Sequence, residues 1–189
     1  MLTPKFRVNF PNLDTPKKTE RGTDQYSVSM LIPKNLTGEE LELFNAMRKE
    51  IFNCMCAKFG ADQTKWPTNY KNPFKDGDAP ERAKYPEMAG HWVVEARTNF
   101  KPAMVDEKVM LIITPGKFYS GCYAIADVSA YAYDNPMNKG AAFGLGCIQF
   151  AGDGEKLAGA APDPKAVFSP LVSQTSGNQT TFADDDIPF

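Results

Sequence analysis

The sequence holds a single histidine, His91, and its four cysteines, Cys54, Cys56, Cys122 and Cys147, show no Cys-x-x-Cys spacing and no neighbouring histidine. A structural zinc site needs such a cluster, and no Ser/His/Asp, Cys/His or phosphate-cradling Gly-rich motif is present either. The cysteines read as buried thiols, small core residues of a reducing compartment. No apolar run approaches the roughly 20 residues of a membrane span. Met1-Leu2-Thr3-Pro4-Lys5-Phe6-Arg7 also lacks the apolar block of a secretion signal. The expectation is a cytoplasmic chain with no membrane partner, no cofactor and no metal.

What is present suffices for one core: 189 residues, 42% of them hydrophobic. The net charge of −2 argues against a nucleic-acid partner only until it is located. Residues 1–150 hold nineteen Lys/Arg against seventeen Asp/Glu, and residues 151–189 hold two against six. The acidity belongs to the tail. There, Ala151 to Ala166 is rich in Gly, Ala and Pro, and Ser169 to Thr181 is mostly small and polar. Such a composition cannot offset the entropy of ordering. The division expected is a folded domain over 1–159 and a disordered linker with an acidic tip over 160–189.

Within the body, Phe6, Val8 and Phe10 alternate with polar residues, as do Tyr26, Val28, Met30 and Ile32, the period-2 signature of half-buried strands joined here by a long polar loop. Thr37 and Glu40 have the spacing of a capping box, and Leu41, Phe44, Met47, Ile51, Cys54, Met55 and Phe59 share one face of the helix that follows. That face is expected to pack on the sheet. Ala61 to Gly90 loses all periodicity, yet carries Trp66, Tyr70, Phe74 and Tyr85 among four prolines and five Lys/Arg. A loop this long in a compact domain is usually functional. His91–Thr98, Val109–Ile113, Phe118–Asp134 with a bend at Gly121, and Phe143–Phe150 are the remaining predicted strands. Short strands around one helix suit a mainly β fold, a small closed or partly open barrel, better than a parallel sheet.

The long strand sorts its faces sharply. Cys122, Ala124, Ala126, Val128, Ala130 and Ala132 form one, and Tyr119, Tyr123, Tyr131 and Tyr133 lie on the other. Exposed rings on a sheet offer stacking surfaces worth roughly 1 to 3 kcal/mol per base, whatever the base. Tyr70, Phe74 and Trp92 extend the set of stacking candidates. Lys65, Lys71, Lys75, Arg82 and Lys84 in the loop, with Arg97, Lys101 and Lys117 on or beside strands, are the candidates for neutralising phosphates. The alternative is that the tyrosines pack on a second sheet or on another subunit of a homo-oligomer.

Asp76-Gly77-Asp78, with Glu81, His91 and Glu95, offers another chemistry, a metal-dependent nuclease, although Asp-Gly-Asp is also ordinary turn sequence. The last residues, Asp184-Asp185-Asp186-Ile187-Pro188-Phe189, join three carboxylates to a terminal aromatic ring, a composition suited to a partner pocket with basic and apolar walls. A chain that used only this tip, as an interaction module without DNA affinity, is the third reading.

That tip resembles the C-terminus of bacterial single-stranded DNA-binding proteins, which also follows a low-complexity linker. The body resembles a phage-encoded family of OB-fold single-stranded DNA-binding proteins across roughly residues 3 to 159. The resemblance rests on Asp76-Gly77-Asp78, Ala89-Gly90-His91, Phe118-Tyr119-Ser120-Gly121-Cys122-Tyr123, Tyr131-Ala132-Tyr133 and Gly144-Leu145. It implies an OB-type Greek-key barrel that coats exposed DNA in phage replication and recombination without enzymatic activity. By similarity the tip engages host replication and repair proteins.

Overall fold

The computed structural model describes residues 1–20 and 22–157. The predicted linker and the tip Asp184 to Phe189 lie outside them. Strands β1 (Phe6–Lys18) and β2 (Asp24–Pro33) are followed by helix α1 (Gly38–Phe59), then β3 (Phe74–Asp76), β4 (His91–Thr98), β5 (Ala103–Val105), β6 (Tyr123–Asp134) and β7 (Lys139–Gly152). β1 pairs with β2 and β6, β2 with β4, and β6 with β7, all antiparallel. β4 then meets β7 in parallel at Ala96↔Phe143 and Arg97↔Gly144, closing β1, β2, β4, β7 and β6 into a barrel. A five-stranded Greek-key barrel of this connectivity is an OB fold. β3 extends β4, and β5 extends β7.

The barrel interior follows the predicted alternation. Phe6, Val8, Val28, Met30, Ile32, Val94 and Ala96 are buried with Phe143, Leu145, Ile148 and Phe150. The small face of β6 does what its composition demands: Ala124, Ala126 and Val128 are sealed in the core. α1 packs on β6 and β7 through Phe44, Met47, Ile51 and Met55. Its capping box does not form, because Thr37 makes no side-chain cap bond.

Four sequence expectations change. β1 does not stop at Phe10 but continues to Lys18, so the expected long loop is a twisted ribbon with a turn only at Thr19–Thr23. Val109–Ile113 is not a strand. Its place beside β7 is taken by β5, and Val109, Met110, Leu111 and Ile113 are exposed. Phe118–Gly121 forms a turn, and β6 begins at Tyr123. Of the four cysteines only Cys122 is buried, whereas Cys147 is exposed and Cys54 and Cys56 lie between. Burial in the core pushes the Cys122 thiol up to about 11, so it stays protonated and inert.

Two bulges explain where simple periodicity fails. In β7, Asp127↔Cys147 is followed by Val128↔Leu145, so Gly146 is an extra residue and the inward set switches from Ala141, Phe143, Leu145 to Ile148, Phe150. In β1, Asn9↔Ser29 is followed by Asn12↔Ser27, leaving Phe10 and Pro11 opposite one residue. Phe10 therefore does not join Phe6 and Val8 inside. It takes φ 45° and points outward, 46% exposed. A non-glycine residue in that region costs on the order of 1–3 kcal/mol. Three hydrogen bonds hold it: its N–H donates to Asn9 Oδ1 and Ser120 Oγ at 3.0 and 3.2 Å, and Asn12 Nδ2 donates to its carbonyl at 3.1 Å.

The long segment between α1 and β4 is docked on the barrel. Gly77 lies so close to the chain before β4 that a Cβ there would sit 1.9 Å from the Met88 carbonyl oxygen and 2.6 Å from that of His91. The Gly77→Ala variant is expected to lose about 2–3 kcal/mol of stability, the scale of overpacking against backbone that cannot yield. Urea unfolding monitored by Trp fluorescence measures it.

Candidate nucleic-acid interface

The outer face of β2 and β4 is divided by its own residues. Toward one end Leu31 and Val93 face outward and are covered by Met88, Tyr85 and Leu157, which form a second, smaller apolar cluster. Toward the other end the outward residues are Gln25, Ser27 and Ser29 on β2 and Glu95 and Arg97 on β4, and nothing apolar needs covering. This polar half stays open as a groove. The hairpin arms β1–β2 and β6–β7 rise on either side, and two adjoining clefts of about 440 and 370 Å³ share Gln25, Glu95 and Arg97.

The larger cleft is lined by Lys71, Lys75, Arg97, Tyr131 and Tyr133, with Asn72, Asn135 and Asn138 at its rim. Lys71 is carried there by backbone: its N–H donates to the Lys139 carbonyl at 2.8 Å, and its own carbonyl accepts from Ala141 N at 3.1 Å. This contact requires Gly140, where a Cβ would lie 2.5 Å from the Lys71 carbonyl oxygen. Tyr131 and Tyr133, two residues apart on β6, present rings with centroids 6.3 Å apart, and Tyr131 is 46% exposed. Burial and the neighbouring Tyr131 raise the Tyr133 hydroxyl pKa, so its ring stays neutral.

Glu95 is the one carboxylate lining the two clefts among the described residues. It is hydrogen-bonded by Arg97 and lies 3.6 Å from Lys75 Nζ. Burial alone pushes its carboxyl up, but the bond from Arg97 and the two cationic charges outweigh that, and the group is held below the ordinary glutamate value. The floor thus carries a fixed anion that orients two cations, while Lys71 and, in the smaller cleft, Lys17 add positive charge that is in no ion pair among the described residues.

Not every candidate residue is gathered here. Lys71, Lys75, Arg97, Tyr131 and Tyr133 meet in the groove. Phe74 turns inward between Phe44 and Phe143, and Trp92 stacks on Phe44 beneath Lys34 Nζ, so both serve the core. Tyr70 packs edge-on to Trp66, which in turn rests on Phe52 of α1. The four tyrosines do not form one platform. Tyr119 precedes the strand and is tied by its hydroxyl to Asp153 and Gly154, and Tyr123 lies at the far end of β6, about 26 Å from Tyr131 at strand rise. Among the cations, Lys65 pairs with Asp62, Arg82 with Glu81 and the Asp76 carbonyl, Lys84 lies over Tyr85 and Lys117 over Phe150. Lys101 is exposed between β4 and β5. None of these lines either cleft.

A protein family described as Enterobacter phage Enc34, single-stranded DNA-binding protein, matches residues 1–180. The chain belongs to this family. Protein p50 of Acyrthosiphon pisum secondary endosymbiont phage 1 is 31% identical over 161 residues, covering 81% of this chain and 83% of that one. Among solved structures, the single-stranded DNA-binding protein of bacteriophage Enc34 in complex with single-stranded DNA superimposes with a TM-score of 0.64 at 23% identity, over 82% of this chain and 87% of that one. The single-stranded DNA-binding protein gp2.5 of bacteriophage T7 gives 0.61 at 13% identity, over 86% and 97%. At these identities the structural matches speak for the shared OB fold.

Several groove residues were not among the candidates: Lys17, Gln25, Asn72, Asn135, Asn138 and Phe10. The signal for Lys17 was the lysine pair in a segment taken for loop, and for the asparagines the turn Asn135-Pro136-Met137-Asn138. Asp76 and Asp78, read as metal ligands in one alternative, are both engaged by Lys34, at 2.6 Å for Asp78, while Asp78 Oδ1 accepts from Gly90 N at 2.8 Å. Among the described residues no group of three or more His, Cys, Asp or Glu could hold a metal. The Lys34 bonds, and next the backbone N–H groups of Asp78 and Gly90, hold the two carboxyls below the usual aspartate range. Depressed carboxyls stabilise the fold fully above their unfolded value near ~4 and lose that contribution as pH falls through the lower folded values. Lys34→Met is therefore expected to lower the unfolding temperature at neutral pH, with the difference from the wild type closing as pH drops below about 4. Thermal scans by circular dichroism across that window check it.

Proposed function

We propose that the groove over β2 and β4 binds single-stranded DNA without regard to base sequence. The observation that carries this reading is the meeting of Tyr131 and Tyr133 with Lys71, Lys75 and Arg97 in one open cleft. Rings give any base a face to stack on, and cations beside them neutralise the phosphates on either side. Gln25, Asn72, Asn135 and Asn138 supply amide groups that can bond to phosphate or base edges alike. A groove between hairpin arms admits a single strand, whose bases are free to turn toward the rings. Family membership and a solved relative held in complex with single-stranded DNA support the same assignment.

The reading includes no catalytic step: the chain acts in phage DNA replication and recombination by coating exposed strands in the host cytoplasm. It also gives the sequence tip Asp184-Asp185-Asp186-Ile187-Pro188-Phe189 two roles, recruitment of replication and repair proteins and competition with phosphates for the basic groove. Both rest on the composition of the tip.

Fluorescence anisotropy with labelled oligo(dT) tests the groove. Tyr131→Ala is expected to weaken binding by roughly 1–3 kcal/mol, about five- to 150-fold, at all salt concentrations. Lys71→Ala is expected to flatten the dependence of log K on log salt by about 0.7. Normal affinity and an unchanged slope in both variants would remove the groove from consideration.

A further inference from the structure

The smaller cleft is lined by Phe10, which the strand alternation groups with Phe6 and Val8 on the inner face. Its ring is 46% exposed and stands nearly perpendicular to that of Tyr85, with 6.0 Å between centroids and 77° between planes. Tyr85 is fixed by the apolar cluster beneath it and carries Lys84 Nζ 4.9 Å from its own ring centre. Lys17 and Lys18 line the same cleft, and Arg97 connects it to the larger one.

We infer that Phe10 is a second stacking platform, and that the DNA path continues from Tyr131 and Tyr133 across Arg97 to Phe10, flanked by Lys17. This rests on the reading of the groove given above and extends it. Three observations on Phe10 converge. Strand alternation with the buried Phe6 and Val8 would place it on the inner face. The bulge instead turns the ring outward through a backbone conformation that phenylalanine adopts at a cost and that Pro11, next in sequence, further disfavours. The polar side chains of Asn9, Asn12 and Ser120 brace that conformation. A strained, side-chain-braced, half-exposed ring at the end of a cationic groove has the attributes of a contact residue. The two ring planes meet at 77°, so Tyr85 is not stacked flat on Phe10, and the half-exposed ring keeps a face for a base.

The substitution Phe10→Gly separates contact from structure, because glycine accepts φ 45° without strain while removing the ring. Affinities for oligo(dT) of about 4 and about 16 nucleotides, the span of single OB sites, are compared by anisotropy. The wild type is expected to gain strongly on lengthening. Phe10→Gly is expected to keep its unfolding temperature and its short-oligonucleotide affinity, and to lose about tenfold on the long one. Phe10→Trp should restore the long-oligonucleotide affinity. If Phe10→Gly matches the wild type on the long strand, the inference is overturned and the groove reading stands. A fall in unfolding temperature with equal losses at both lengths makes Phe10 structural and overturns it too. A wild type that binds neither length overturns the groove reading itself.

Discussion

The docking of the segment between α1 and β4 is the constraint on which the site depends. Lys34, just past the C-terminal end of β2, pairs with Asp76 and Asp78 at once, and Gly77 between them lets the chain pass against the carbonyls of Met88 and His91. From this anchor the chain runs two ways. Downstream, Tyr85 and Met88 seal the apolar end of the β2–β4 face. Upstream, Lys75 and Lys71 are set along the open end, the latter by bonds to the start of β7. The ion cluster thereby fixes the cover over the half that the sheet's own residues make apolar and leaves the polar half open. The pairs themselves are exposed, and their worth lies in placement more than in net energy.

Much of the barrel was legible because burial there obeys simple alternation. The small face of β6, the apolar stripe of α1 and the strands β2 and β4 follow directly from residue type and period. What could not be read was set by register. A bulge adds one residue and inverts the face of all that follow, and neither the Gly146 bulge nor the one at Phe10 is marked by composition alone. The Val109–Ile113 run is apolar and β-branched, yet β5 occupies the edge of β7, so propensity yields to pairing.

The candidate site was legible only in part, since Lys71, Lys75, Arg97, Tyr131 and Tyr133 meet in one cleft and the other candidates do not. Rings and cations were recognised by type, but Phe74 and Trp92 have the same composition signal as Tyr131 and Tyr133 and go to the core. Tyrosines at alternate positions share a face, but a strand of twelve residues spreads that face over a length no single cleft spans. Cations brought from distant segments, such as Lys17 from the first arm, reach the cleft of Arg97 only through the pairing of β1 with β2 and of β2 with β4.

The parallel contact that closes the barrel joins Ala96 and Arg97 to Phe143 and Gly144. Contacts so far apart in sequence are slow to form, since a long stretch of chain must be ordered before they repay the loss. During synthesis β4 leaves the ribosome some forty-odd residues before its partner, so the Ala96–Arg97 end of its outer edge, beyond the stretch paired with β3, waits unpaired until β7 arrives. Arg97 belongs to that last pairing. The groove is therefore complete only once β7 has paired, and a nascent chain halted before β7 has neither a sealed barrel nor the larger cleft that β7 helps to line.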